Sequence, residues 1–71
     1  MSIQRVIEYA NLHRLVVKLS DDGSGYTWKV SHLEDGVHWL LGGSACPMPF
    51  DHALARGREE LAVWSEDEVT A

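Results

Sequence analysis

The dipeptide Asp35-Gly36 lies between two segments of alternating hydrophobicity, and it constrains the fold more than any other feature of the sequence. Asp-Gly is a preferred sequence for a two-residue β-hairpin loop, because a type I′ turn needs a positive φ at both central positions. The flanking residues 26–33 and 37–41 alternate with the period of β-strands. They are therefore predicted to pair as an antiparallel hairpin.

This turn also decides which side chains share a face of the sheet. With the dipeptide as the loop, His32 is predicted to face Trp39 and Val30 to face Leu41. The predicted inner face, directed at the core, contains Tyr26, Trp28, Val30, Val37, Trp39 and Leu41. The predicted outer face contains Thr27, Lys29, Ser31, Leu33, His38 and Leu40.

Two further segments precede the hairpin. Residues 13–20 alternate as a strand does, and the Asp- and Gly-rich residues 20–25 then predict a turn. In residues 2–11, Ile3, Val6, Ile7 and Ala10 have helical spacing, and Ser2 is a candidate N-cap. The competing interpretation is a leading strand, because Val6, Ile7 and Tyr9 favour β-structure. We predict a short helix or turn for this segment.

Residues 50–65 have the clearest helical pattern in the chain. Pro49 precedes them, and Asp51 falls in the first turn, where an acid is favoured by the helix dipole. Gly57 interrupts a good helix sequence, and its predicted use is to let the helix approach the sheet closely. The apolar stripe consists of Phe50, Ala53, Leu54, Gly57, Leu61 and Trp64. Residues 66–71 are predicted to be a frayed acidic tail.

The predicted fold is therefore α+β, a three-stranded antiparallel β-meander packed against one C-terminal helix. The 71 residues suffice for a single domain, residues 1–71. A chain of this size buries only about 60% of its unfolded surface. Because Cys46 is the only cysteine, no disulfide or multi-thiolate zinc site can add stability. Self-association or binding to a protein partner is therefore the expected source of additional stability.

The sequence gives little support for catalysis or for metal binding. Cys46 precedes the predicted helix and lies near His52, but no orienting acid is identifiable, and single cysteines are more often buried small hydrophobes. The segment around Cys46 is predicted to be a crossover, with Gly42-Gly43 turning the chain away from the sheet. The histidines lack ligand spacing, and the register sends His32 and His38 to opposite faces. We expect no enzyme activity, metal or cofactor.

The distribution of charge limits the partners. The net charge is −5, and residues 1–20 carry three cations against one acid while residues 21–71 carry three cations against ten acids. The excess of acidic residues disfavours general nucleic-acid binding, whereas it would attract a basic protein partner. No uncharged run approaches the ~20 residues of a membrane span. We expect a cytoplasmic protein of bacterial or phage origin.

The predicted outer face is the candidate binding surface, because exposed apolar residues among charges often mark an interface. Trp64, near the helix end, is added as a partly exposed aromatic anchor. The candidate partner-binding residues are Arg14, Val16, Lys18, Lys29, Leu33, His38, Leu40 and Trp64. The alternative function is RNA binding by Arg14, Lys18 and Lys29, which requires these three to form one exposed surface.

Four segments resemble the HicB-like antitoxin domain between residues 15 and 64. They are Val16-Val17-Lys18, Asp21-Asp22-Gly23, Gly25-Tyr26, and the helix from Ala53 to Leu61. The family's proline-containing motif after the second strand is replaced here by residues 32–36, and its DNA-binding segment is missing. The resemblance implies a domain that neutralises a small basic partner protein without binding DNA.

The leading hypothesis is a non-enzymatic protein-interaction module. It would act stoichiometrically, as an antitoxin-like protein or as a phage or mobile-element inhibitor, within a homodimer or a hetero-complex. The free edges of the predicted sheet offer one route to such pairing.

Overall fold

The computed structural model describes the backbone of residues 4–69 and the side chains of residues 4–65. The elements are β1 (Arg5–Ala10), β2 (His13–Leu19), β3 (Tyr26–Glu34), β4 (Val37–Gly43) and α1 (Phe50–Val69). The four strands form one antiparallel sheet in sequence order, and α1 packs against β2 and β3. The predicted α+β class is confirmed, but the sheet has four strands where three were predicted.

The additional strand is β1, so the prediction of a short N-terminal helix is wrong. Val6, Ile7 and Tyr9 favour β-structure, and burial alternates along the strand as it does for one half-buried face. A two-residue loop with Asn11 at a φ of 56° lets Ala10 pair with His13. Tertiary pairing with β2 therefore outweighs the helical spacing. The proposed N-cap Ser2 and Ile3 lie outside the described residues.

The Asp35-Gly36 turn forms as the sequence predicts. The φ angles of its two residues are 53° and 78°, and the flanking pair is Glu34 with Val37. Both central residues are thus in the left-handed region that a type I′ turn requires. The predicted pairing of His32 with Trp39 is also confirmed.

The predicted pairing of Val30 with Leu41 is wrong, because β4 contains a bulge. The register shifts between Val30 and Ser31, so that Val30 faces Gly42 while Ser31 faces Leu40. An extra residue in one strand has this effect. Gly42 and Gly43 accordingly remain in β4 and do not turn the chain away from the sheet.

The core lies between α1 and the inner face of the sheet. Among the described residues, the buried hydrophobic side chains are Leu15, Val17, Val30, Ala53 and Leu61. Around them pack Val6, Ala10, Tyr26, Trp28, Leu41, Met48, Phe50, Leu54 and Trp64. The predicted apolar stripe of the helix is therefore the face that meets the sheet.

Trp39 and Val37 are not part of this core, although the sequence predicts them on the inner face. The register does direct them to that side, yet Trp39 is 58% exposed and Val37 is 50% exposed. The helix lies over β2 and β3, so it does not cover this end of β4. The prediction of a buried Trp39 is wrong for this reason.

Residues 44–49 form the crossover from β4 to α1. The Ser44 amide donates to the Trp28 carbonyl at 3.0 Å, and Met48 forms an isolated bridge with Tyr26. At the start of α1, Phe50 meets the Tyr26 ring edge-to-face with centroids 5.1 Å apart. Both ends of the crossover are thus tied to β3, while Cys46 in its middle is exposed.

The helix α1 continues to Val69, past the predicted end at residue 65 and into the segment expected to be a frayed tail. Within the described part of the chain, no helix combines the length and apolar character needed to cross a membrane.

Candidate functional site

The face of the sheet opposite α1, called here the outer face, forms a shallow concave surface. Alternation along each strand directs every second side chain away from the helix. The concavity has a volume of about 410 Å³. Its lining residues are Arg5, Ile7, Arg14, Val16, Lys18, Thr27, Lys29, Ser31, His38 and Leu40.

The outer face is basic, although the chain as a whole is acidic. Of the six lysines and arginines in the sequence, Arg5, Arg14, Lys18 and Lys29 line this surface. None of its lining residues is acidic. A net charge of −5 thus coexists with a surface that attracts anions.

The cations of the outer face are held close together by the strand register. Arg5 lies directly opposite Lys18 across β1 and β2. Like charges in this position destabilise a sheet, and a bound anion relieves their repulsion. Lys29 follows on β3, where it faces Val16 of β2. The arrangement is therefore one that gains from an anionic partner.

Apolar and aromatic side chains lie between these cations. Ile7 is 40% exposed and Leu40 is 66% exposed. Tyr9, which pairs with Arg14 across β1 and β2, is 68% exposed. Exposed apolar side chains surrounded by charges are typical of protein interfaces, where aromatic and arginine residues are enriched.

Arg14 is the most enclosed cation of the outer face. Its side chain is half-buried, and its Nε atom is buried without a hydrogen-bond partner among the described residues. A buried donor without an acceptor costs free energy, about 1–3 kcal/mol in proteins. An acceptor supplied by a partner would remove that cost, which makes Arg14 a candidate anchor for an anionic group.

Six of the eight sequence-predicted binding residues line the outer face. They are Arg14, Val16, Lys18, Lys29, His38 and Leu40. Leu33 pairs with His38 on the same side of the sheet but beyond the end of β2, and it does not line the concavity. Trp64 lies on α1, half-buried against the core, and its Nε1 donates to Glu60 Oε1 at 3.1 Å. The sheet therefore separates Trp64 from the predicted residues of the outer face.

Sequence reasoning missed Arg5 and Ile7 because it assigned residues 2–11 to a helix. The alternation from Arg5 to Ala10 was the signal that could have found them, since the register with β2 then directs both residues to the outer face. Without β1, the predicted surface lacked one of its four cations.

The layer that contains α1 has a different electrostatic character. Glu8 of β1 points to the inner side, where its Oε1 accepts a hydrogen bond from Arg58 Nε at 2.9 Å. This hydrogen bond from Arg58 is the main reason that the pKa of Glu8 lies below its usual value, and the positive charge of the guanidinium adds to the effect. Arg58 is thereby paired within the chain by a partly exposed ion pair, unlike the cations of the outer face.

The histidines form no metal centre in the described part of the chain, which contains no cluster of three or more potential ligands. His13 is buried, and its ring lies 4.9 Å from that of His32 on the inner side. His32 and His38 fall on opposite faces, as the turn register predicts. His38 is therefore the histidine of the outer face.

No protein-family model matches this chain, and no curated protein or solved structure shows significant similarity to it. The likeness to the HicB-like antitoxin domain therefore rests on the quoted sequence segments alone.

Proposed function

We propose that this chain is a small, non-enzymatic interaction module that binds an acidic segment of a protein partner through its outer face. The observation that carries the proposal is the collection of Arg5, Arg14, Lys18 and Lys29 on one concave surface without an acid among the lining residues. Charge complementarity of this kind gives specificity and fast association.

The mixture of side chains on the outer face favours a protein over a nucleic acid. Ile7 and Leu40 offer exposed apolar area that a protein segment with apolar residues can cover. The chain's net charge of −5 also repels a long polyanion at a distance, whereas a short acidic segment is subject mainly to the local field.

The positive charge of the outer face changes the kind of partner that is expected. A basic partner, as the overall charge and the antitoxin resemblance imply, would be repelled by Arg5 and Lys18 and would have to approach from the helix side. An acidic segment is matched to the outer face itself. The proposed role is therefore stoichiometric inhibition or neutralisation, antitoxin-like or of phage or mobile-element origin, in the cytoplasm, with an acidic element of the target as the docking point.

RNA binding is the second candidate, because one observation favours it. Arg14, Lys18 and Lys29 lie on the same concave surface, which is the arrangement that function requires. The hydroxyl group of Thr27, which is half-buried on the same surface, adds a hydrogen-bonding partner for phosphate or ribose.

The experiment that separates these functions is affinity capture from native lysate with and without nuclease treatment. Three single-charge variants are compared with the unmodified chain: Lys18→Gln and Lys29→Gln on the outer face, and Arg56→Gln on α1 as the matched control. The proposal predicts that a protein is still captured after nuclease treatment. Each of the two outer-face variants should bind this protein at least about tenfold more weakly (about 1.4 kcal/mol). Arg56→Gln should capture as much of it as the unmodified chain does.

Two outcomes contradict the protein-binding proposal. Capture that disappears with nuclease and weakens steeply with salt assigns the outer face to RNA. Equal capture by all four proteins, or none by any of them, shows that the outer face binds neither class.

A further inference from the structure

The strand β4 forms one edge of the sheet, because β3 is its only neighbour among the strands of residues 4–69. Three of the seven exposed large hydrophobic residues among the described positions belong to it: Val37, Trp39 and Leu40, with 50%, 58% and 66% of their surface exposed. An edge strand presents unpaired backbone groups that can template a further strand. In β4 these groups coincide with uncovered apolar side chains.

The other edge strand, β1, is protected in the way that soluble proteins protect their edges. It carries Arg5 and Glu8, whereas β4 contains no Asp, Glu, Lys or Arg. Charged residues on an edge strand oppose pairing with another chain. The two edges of the sheet therefore differ, and β4 is better suited than β1 to accept a strand.

The bulge limits the segment of β4 that can do so. The register shift follows Leu40, so the regular part of the edge extends from Val37 to Leu40. A bulge interrupts the hydrogen-bonding pattern and twists the strand away. This short regular segment contains all three exposed hydrophobic residues.

We infer that Val37–Leu40 pairs antiparallel with the same segment of a second copy of this chain. Residues that face each other across antiparallel strands must lie on the same side of the sheet, so the twofold axis has to lie midway between the two copies of one residue. An axis at Trp39 sets this residue against its own copy on the helix side. It also sets His38 against Leu40 of the second copy on the outer face, and so covers the two most exposed hydrophobic residues of β4.

The distribution of charge favours a second copy over another occupant. The pairing segment has no formal charge, so an acidic or basic strand gains nothing from it electrostatically. The nearest lysine of the outer face, Lys29, is on β3, which places the two copies of Lys29 at least three strand spacings, or about 14 Å, apart. That distance exceeds the Debye length of about 8 Å at physiological salt, so like-charge repulsion across the dimer is screened.

The size of the core supplies a second argument. Within the described residues only five hydrophobic side chains are buried. Domains of this length are only marginally stable on their own, and association is one of the ways in which small folds gain burial. Burying Trp39 and Leu40 between two copies adds apolar area where the single chain leaves it in water.

The dimer has a consequence for the outer face. A twofold axis perpendicular to the sheet places both helices on one side and both outer faces on the other. The two concave surfaces then form one continuous eight-stranded face with cations flanking an uncharged centre. Dimerisation and partner binding remain separable, because the first is measured on the purified chain alone.

The test is the oligomeric state by light scattering and sedimentation across micromolar concentrations. The expected mass is twice the chain mass of 8.0 kDa. Leu40→Lys should raise the dimer dissociation constant at least about tenfold, because a lysine on an edge strand opposes pairing. Tyr9→Lys is the matched control, since Tyr9 is equally exposed on the opposite edge, and it should leave the dimer intact.

Cysteine cross-linking provides a readout that does not depend on the stability of Leu40→Lys. In a Cys46→Ser background, Trp39→Cys should form an intermolecular disulfide, because residues facing each other at the axis lie within the required Cα separation of about 4–7 Å. His38→Cys replaces it if the axis lies between the two copies of residue 38, and Tyr9→Cys should not cross-link. A chain that remains monomeric at about 100 μM, a concentration at which even a weak dimer would be populated, would overturn the inference. A dimer disrupted by Tyr9→Lys but not by Leu40→Lys, or a cross-link at residue 9 alone, would do the same.

Discussion

Gly57 of α1 lies against Leu15 of β2 so closely that a methyl group at position 57 would overlap the leucine side chain. A Cβ atom there would be 3.1 Å from Leu15 Cδ2 and 3.3 Å from Cγ, with Cδ1 nearer still. Leu15 is completely buried, so it has little freedom to move aside. The glycine thus sets the distance between the helix and the sheet.

Gly57→Ala is expected to destabilise the fold even though alanine is the better helix former. Overpacking a core costs about 1–3 kcal/mol, and the gain in helix propensity offsets about 1 kcal/mol of it. Urea unfolding measures the difference, and Ala62→Gly on the exposed side of α1 gives the propensity effect alone. In the double variant Gly57→Ala with Leu15→Val, the smaller side chain should recover part of the loss. A more stable Gly57→Ala protein would contradict the close packing.

Gly36 should respond to substitution for a different reason. Its φ is +78°, and a Cβ atom there would meet nothing within 4 Å, so only the backbone conformation opposes a side chain. Gly36→Ala is expected to cost about 1 kcal/mol. Gly36→Asn should cost less, because asparagine tolerates the left-handed region. Equal losses for both variants in urea unfolding would show that the turn is not the cause.

The ion pair between Glu8 and Arg58 predicts a pH-dependent contribution to stability. Because the hydrogen bond from Arg58 lowers the pKa of Glu8 below 4.5, the contribution is present above pH 4.5 and is lost as the pH falls through the lower, folded-state pKa. The difference in unfolding free energy between the unmodified chain and Glu8→Gln should therefore shrink as the pH decreases below 4.5.

High salt should reduce the same difference at neutral pH, because both partners are partly exposed. Glu59→Gln, at an exposed position of α1, serves as the comparison. A Glu8→Gln deficit that persists unchanged down to the acid limit of the native state would exclude the ion pair as its source.

Asp22 gives a second, local titration. Its Oδ1 accepts hydrogen bonds from the amide and hydroxyl of Ser24 and from the hydroxyl of Ser20. Led by the Ser24 amide, these hydrogen bonds lower the pKa of Asp22 from 3.8 to about 2. Carboxyl chemical shifts followed by NMR should report that value. Ser24→Ala removes the hydroxyl and should move the pKa back toward 3.8, while an Asp22 that titrates at 3.8 in the unmodified chain contradicts the turn geometry.

Local chemistry made much of the fold predictable from the sequence. Asp35-Gly36 determined a turn and its register, and the apolar stripe that includes Ala53 and Leu61 determined the buried side of α1. The errors arose where tertiary contacts determine the secondary structure or the strand register. The N-terminal segment satisfies both helical and strand spacing until β2 is available to pair with it, and the bulge at Leu41 depends on how β4 meets β3.

The candidate surface was predictable to the same extent as the sheet. Lys29, His38 and Leu40 followed from the hairpin register, and Arg14 and Lys18 from alternation in β2. Arg5 could not be added until β1 was known to be a strand. Trp39 shows a second limit of sequence periodicity. Periodicity assigns a side chain to a face of the sheet, but it does not say how far the helix extends over that face.

The most direct test of outer-face binding is an NMR titration of the isotopically labelled chain with defined probes. The probes are a synthetic peptide rich in glutamate and leucine, the same peptide with glutamine in place of glutamate, and a uridine oligonucleotide. We predict that the acidic peptide shifts the amide signals of Arg14, Lys18 and Lys29, while the glutamine peptide does not and the oligonucleotide has the weaker effect. Shifts confined to α1, stronger binding of the oligonucleotide, or no shift with any probe at low salt would contradict the proposal that the outer face binds an acidic protein segment.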